Sequence, residues 1–131
     1  MTGLDTNILV RVFANDDPQQ SPKAKYFLSS LTPSDPGWIG HGTLIELVWV
    51  LSTKNQVRRD EIARILDHLL VEDTLVIDQT EIVEEALQKY RSGKADFADC
   101  LIAASAKAAG CARTVTFDRI AARDAGMELV Q

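Results

Sequence analysis

Four acidic residues, Asp5, Glu46, Asp99 and Asp118, occupy positions where a carboxylate can do chemistry. Asp5 closes a short strand-like opening segment, residues 1–5, and a helical pattern of Ile8, Leu9, Val12 and Phe13 begins directly after it. In open α/β sheets ligands sit beyond the carboxyl ends of the strands. Aspartate is also a favoured helix cap, so both readings stand for Asp5. Asp118 repeats the arrangement after the strand-like Val115-Thr116-Phe117. Thr116 lies two residues before it and shares its side of the strand, where a hydroxyl can orient a water. Glu46 falls within Thr43–Leu51, whose apolar residues cover nearly every direction of a helix. A carboxylate in so buried a segment costs on the order of several kcal/mol unless it is paired, protonated or bound to a cation. Asp96 and Asp99 are three apart at the start of a helical pattern and share a face. Capping is the favoured reading for Asp96. Asp99 instead opens the apolar run Cys100-Leu101-Ile102-Ala103-Ala104, which must pack closely on the sheet.

Each of these signals is weak alone, and together they are stronger. Carboxylates brought within a few ångströms of one another repel, and their pKa values rise unless a cation neutralises them. Hard divalent cations such as Mg²⁺ or Mn²⁺ prefer carboxylate and water ligands. A cation held this way activates water against a phosphodiester. His41 and His68 stand far apart and unaccompanied, so no zinc arrangement is read from them. His41 is read as filling a strand-end position and His68 as a helix-surface residue. Neither a glycine-rich phosphate loop nor a G-x-S-x-G elbow is present.

Strands alternating with helices must position these residues. A first helix stops at Asn15-Asp16-Asp17-Pro18. Ser21-Pro22 opens a second, with Ser21 as cap, and residues 32–37 form a loop. Residues 38–41 read as a strand, Thr43–Leu51 as a buried helix, and residues 59–71 as an amphipathic helix capped by Asp60. Thr74–Asp78 reads as a buried strand, Thr80–Tyr90 as a helix capped by Thr80, and Asp96–Ala109 as an alanine-rich helix. A strand over 113–118, a short helix over 120–125 and a last strand over 127–130 complete the order. The alternation predicts an α/β fold with about five strands in a parallel sheet flanked by helices, in a single domain over residues 1–131.

The 131 residues are 46% hydrophobic and 25% charged, an ordinary globular composition. No apolar run approaches the roughly 18–20 residues of a membrane span, and the opening residues show no secretory signal. With Cys100 and Cys111 read as reduced thiols, the expectation is a cytoplasmic protein that does not engage membranes. The net charge of −5 argues against a basic surface as the main device for holding nucleic acid. It does not exclude nucleic acid as substrate, because bound divalent cations reverse the local sign.

The segments Leu4-Asp5-Thr6-Asn7, Leu44-Ile45-Glu46-Leu47, Asp96-Phe97-Ala98-Asp99-Cys100-Leu101-Ile102-Ala103-Ala104 and Thr116-Phe117-Asp118 together resemble the PIN-domain ribonucleases. Within that family the chain is most similar to VapC-type toxins of bacterial toxin–antitoxin pairs. The resemblance covers essentially the whole chain, in order and with fitting intervals. It implies a PIN-like five-stranded parallel sheet between helices, one or two Mg²⁺ or Mn²⁺ ions, and endonucleolytic cleavage of RNA by metal-activated water. It assigns Asp5 and Asp99 as main metal ligands, with Glu46 and Asp118 binding metal directly or through water. Asp96 and Thr116 match supporting positions. The resemblance further implies a cognate antitoxin and a homodimer, for which the helices at 21–31 and 59–71 are candidate surfaces. Arg11, Lys54, Arg91, Lys94, Arg119 and Arg123 are candidates for phosphate contact. Two alternatives remain: a non-catalytic PIN-like binding module, and a receiver-like phosphoacceptor domain with Asp78 as acceptor.

Overall fold

The computed structural model describes all 131 residues, in an α/β architecture of seven helices and five short strands. The chain divides into two compact units, Met1–Asp78 and Gln79–Gln131. In the first unit, β1 (Thr2–Gly3), β2 (Gly37–Ile39) and β3 (Leu75–Ile77) form a parallel ladder in that order. Thr2 is opposite Gly37, and Gly37 is opposite Leu75. Parallel neighbours need crossover connections, and helices supply them here. The helices α1 (Thr6–Ala14) and α2 (Gln20–Ser29) join β1 to β2, while α3 (His41–Thr53) and α4 (Arg59–Val71) join β2 to β3.

Helix α1 starts where Asp5 turns the chain out of extended geometry, and it ends at Asn15, a left-handed residue with φ of 50°. Helix α4 runs over the expected residues 59–71 and buries Ile62, Ala63, Ile65, Leu66 and Leu69 along one stripe. Helix α3 departs from expectation. It buries Leu44, Leu47, Val48 and Leu51, but Glu46 and Trp49 are exposed, so the all-round apolar sequence is covered on one side only. Two caps also differ. Helix α2 begins at Gln20 because the Asp17 carboxylate accepts the Gln19 and Gln20 amides at 2.9 and 2.7 Å, a role expected of Ser21. The residue preceding α4 is Arg58, and Asp60 sits in the first turn.

In the second unit, α5 (Thr80–Ser92) and α6 (Phe97–Ala108) pack together, with an edge-on contact between Tyr90 and Phe97 whose ring centres are 5.8 Å apart. Gln79, left-handed at φ of 47°, occupies the cap position of α5 in place of Thr80. Strands β4 (Val115–Thr116) and β5 (Glu128–Leu129) pair in parallel around α7 (Arg119–Asp124). Each ladder is parallel within itself, but the five strands fall into ladders of three and two, where one ladder of five was expected. Three of them contribute only two paired residues each, so a strand-like pattern in sequence does not specify a continuous ladder. No helix is long and apolar enough to cross a membrane.

Candidate functional site

The acidic residues form one group in each unit. In Met1–Asp78, β1 and β2 run in parallel, so α1 and α3 leave the ladder from the same end. Asp5 caps α1, and its Oδ1 accepts the Thr6 amide at 2.8 Å. That bond engages one carboxylate oxygen. Thr6 is 4% exposed, and its hydroxyl donates to Glu46 Oε1. Asp5, Thr6 and Glu46 are thus linked through two consecutive hydrogen bonds and one residue of backbone. Thr6 belongs to the Leu4-Asp5-Thr6-Asn7 segment, yet its bond to Glu46 was not anticipated. The available signal was a hydroxyl residue at the first position of an apolar helix, which has to find a partner once buried.

His41 starts α3, and its ring nitrogen Nε2 is 2.7 Å from the carbonyl oxygen of Asp78. That ties the start of α3 to the end of β3; His41 is a helix residue, since β2 ends at Ile39 and Gly40 caps α3, and not the strand-end residue expected. His68 lies on the surface of α4, with Nε2 3.7 Å from Glu72.

In Gln79–Gln131 the group is Asp96, Asp99 and Asp118. Asp96 takes the cap position of α6, but its side chain makes no capping hydrogen bond, so the capping chemistry expected of it is not realised. Asp99 follows in the first turn and is half-buried. Burial, and then the negative charges of Asp96 and Asp118, hold its carboxyl above the ordinary range. Asp118 caps α7, with Oδ1 accepting the Ala121 amide at 2.9 Å. The Asp118 amide in turn donates to Thr116 Oγ1 at 3.0 Å. Thr116 therefore shapes the turn that carries Asp118, and its own hydroxyl proton stays available to an acceptor.

These placements permit a test of fit to a divalent cation. The three acids of the second unit are near enough for Asp99 to feel the other two, yet no set of three His, Cys, Asp or Glu side chains stands as a ready-made metal cage. The donor chemistry fits Mg²⁺ or Mn²⁺: hard oxygen donors only, with a carboxylate whose charge lacks compensation. Asp5 and Asp118 each spend one oxygen on a cap and keep the other.

Several cations proposed for phosphate contact are already engaged. Arg11 bonds Gln20 at 2.7 Å and Asp16 at 3.2 Å, and Arg123 grips both oxygens of Asp124 at 2.9 Å. The Lys54 ammonium lies 6.0 Å from the centre of the Trp49 ring. Cys100 is buried and Cys111 exposed, both as free thiols.

The family model of the PIN domain matches residues 4–126 of this chain. The chain belongs to the PIN domain family. It is also similar to the VapC ribonuclease of Aquifex aeolicus (strain VF5), with 22% identity over 116 residues, covering 88% of this chain and 86% of that protein. Family membership sets aside the receiver-like reading of Asp78.

Proposed function

We propose that this protein is a metal-dependent endoribonuclease of the VapC type, a single nuclease domain over residues 1–131 acting as the toxin of a toxin–antitoxin pair. The observation that carries the reading is Asp99: a half-buried carboxylate, facing two like charges, whose ionised form is disfavoured until a cation arrives. Similarity to a protein named VapC ribonuclease supports RNA as substrate.

Asp5, Glu46, Asp99 and Asp118 all take part in the proposed reaction, with Asp96 and Thr116 supporting. When bound, Mg²⁺ or Mn²⁺ lowers the pKa of a water and offsets the charge that grows on the phosphate during in-line attack. Asp99 supplies an anion disfavoured by burial and by the charges of Asp96 and Asp118, which a cation would relieve. Asp5 and Asp118 offer the oxygen that capping leaves over, each held at a helix start. Thr6 orients Glu46 through its hydroxyl. Thr116 sets the backbone of Asp118.

An antitoxin with a cationic segment complements the acidic groups and the net charge of −5. A homodimer is part of the same proposal. Helices α2 and α4 expose Tyr26 and Val71, each 78% accessible, and these apolar groups suit such a surface. The proposed setting is the cytoplasm.

The test is cleavage of a cellular RNA pool by antitoxin-free protein, with Mg²⁺, Mn²⁺ or chelator, beside Asp5→Asn and Asp99→Asn. Metal-dependent cuts that vanish in both variants are expected. Full activity in either variant would refute the assignment. Absence of both cleavage and Mn²⁺ binding would favour a non-catalytic PIN scaffold.

A further inference from the structure

The second unit also holds a cavity of about 110 Å³ lined by Lys89 of α5, Lys107 of α6, and Cys111, Arg113 and Gly126, which lie beside the starts of β4 and β5. Asp118 lies at the other end of β4, five residues beyond Arg113, or roughly 16 Å of extended chain. Lys107 is eight residues beyond Asp99 on one helix, or roughly 12 Å. The cavity is therefore separate from the unit's acidic group.

Its charge is opposite to that of the chain as a whole. Lys107 pairs with Glu85 at 2.9 Å, and Arg113 stands 3.8 Å from Glu128, with both arginine and glutamate largely exposed. Lys89 differs. It is half-buried, and its ammonium has no ion pair or hydrogen bond. The ammonium lies against Gly126, close to where a Cβ would stand, and that glycine sits at φ of 80°, where side chains are strained. The cavity thus lines up three cations against one carboxylate, Glu85, with one cation free of any protein partner.

We propose that this cavity binds a small phosphate-type oxyanion, either inorganic phosphate or the terminal phosphate of a larger molecule. A tetrahedral oxyanion offers acceptors to Lys89, Lys107 and Arg113 together, and charge-assisted bonds of this kind are the strong ones. Its size suits the space, which exceeds several-fold the minimum that holds one water. Binding bridges α5, α6 and the approach to β4, so the ligand stabilises this unit by linkage. The inference does not depend on the nuclease reading.

The experiment is thermal unfolding of the full chain with increasing inorganic phosphate, in chelator, with ionic strength held constant by NaCl. A saturable rise in Tm specific to phosphate is expected. Lys89→Met and Lys107→Met, which keep the aliphatic stems, weaken the apparent affinity about tenfold each. Arg64→Met, outside the cavity, and Asp99→Asn both retain wild-type affinity. Equal Tm in phosphate and chloride would overturn the proposal, as would wild-type affinity in both lysine variants or loss of binding in Asp99→Asn. Competition by a short DNA strand with and without a 5′-phosphate separates the sources. Preference for the phosphorylated strand over inorganic phosphate assigns the site to a nucleic-acid end, and the reverse assigns it to the free anion.

Discussion

Thr6→Val isolates the link between Asp5 and Glu46. Valine preserves the shape of the buried side chain, and the Thr6 amide remains free to bond Asp5. Only the hydroxyl bond to Glu46 Oε1 is lost. A hydrogen bond to a charged group contributes about 1.5–3 kcal/mol to stability. Glu46 is exposed and recovers water in the variant, which lowers the expected cost to about 1 kcal/mol. For a chain of this length that corresponds to a fall in Tm of roughly 3–5 °C. The assay is a double-mutant cycle of Thr6→Val and Glu46→Gln by urea unfolding, with RNA cleavage measured alongside. A coupling energy of about 0.5–1 kcal/mol is expected. On the proposed function, kcat in Thr6→Val falls by about tenfold while Mn²⁺ affinity changes little, because Glu46 is present but less well oriented. Additivity of the two substitutions together with unchanged kcat would refute the reasoning.

In metal-free buffer, Asp99→Asn raises stability, since it removes a half-buried charge facing Asp96 and Asp118. The folded pKa of Asp99 lies above its unfolded value, so the penalty is absent at low pH and develops as pH rises through the carboxylate range. The gain from Asn, read from urea midpoints, is therefore larger at neutral pH than in acid, and added Mg²⁺ stabilises wild type but not the variant. Asp124 shows the opposite sign. The Arg123 guanidinium, helped by the Lys94 amide, holds its carboxyl at about 2. Its contribution is present above the ordinary carboxylate range and disappears as pH falls toward 2, so Asp124→Asn lowers Tm at pH 6 and converges on wild type in strong acid. Leu47→Ala, at a fully buried site of α3, costs about 3 kcal/mol in urea unfolding.

The junction acids were legible in sequence because two separate chemistries, capping and ligation, select aspartate at the same place, and Asp5 and Asp118 satisfy the first outright. Helix α4 was legible to the residue, since its apolar stripe repeats at helical spacing with polar residues between. Helix α3 was less so. Apolar residues on every side of Thr43–Leu51 hide which face is covered, and the exposure of Glu46 and Trp49 follows from packing rather than local pattern. Strand existence was readable, but pairing was not, because ladder bonds join residues such as Thr2 and Gly37 that are remote in sequence. The amides that open α2 go to Asp17 and not to Ser21, because the aspartate reaches two of them at once.

Asp5 and Asp118 carry a consequence for inheritance. Each starts a helix with one oxygen, and asparagine performs that task about as well as aspartate. Aspartate and asparagine codons differ by one base. On the proposed function, a lineage under pressure to silence the nuclease would lose its chemistry at either position in one step while the protein stays folded. Disarmed descendants would persist as stable proteins, still able to occupy whatever partner the active form engages.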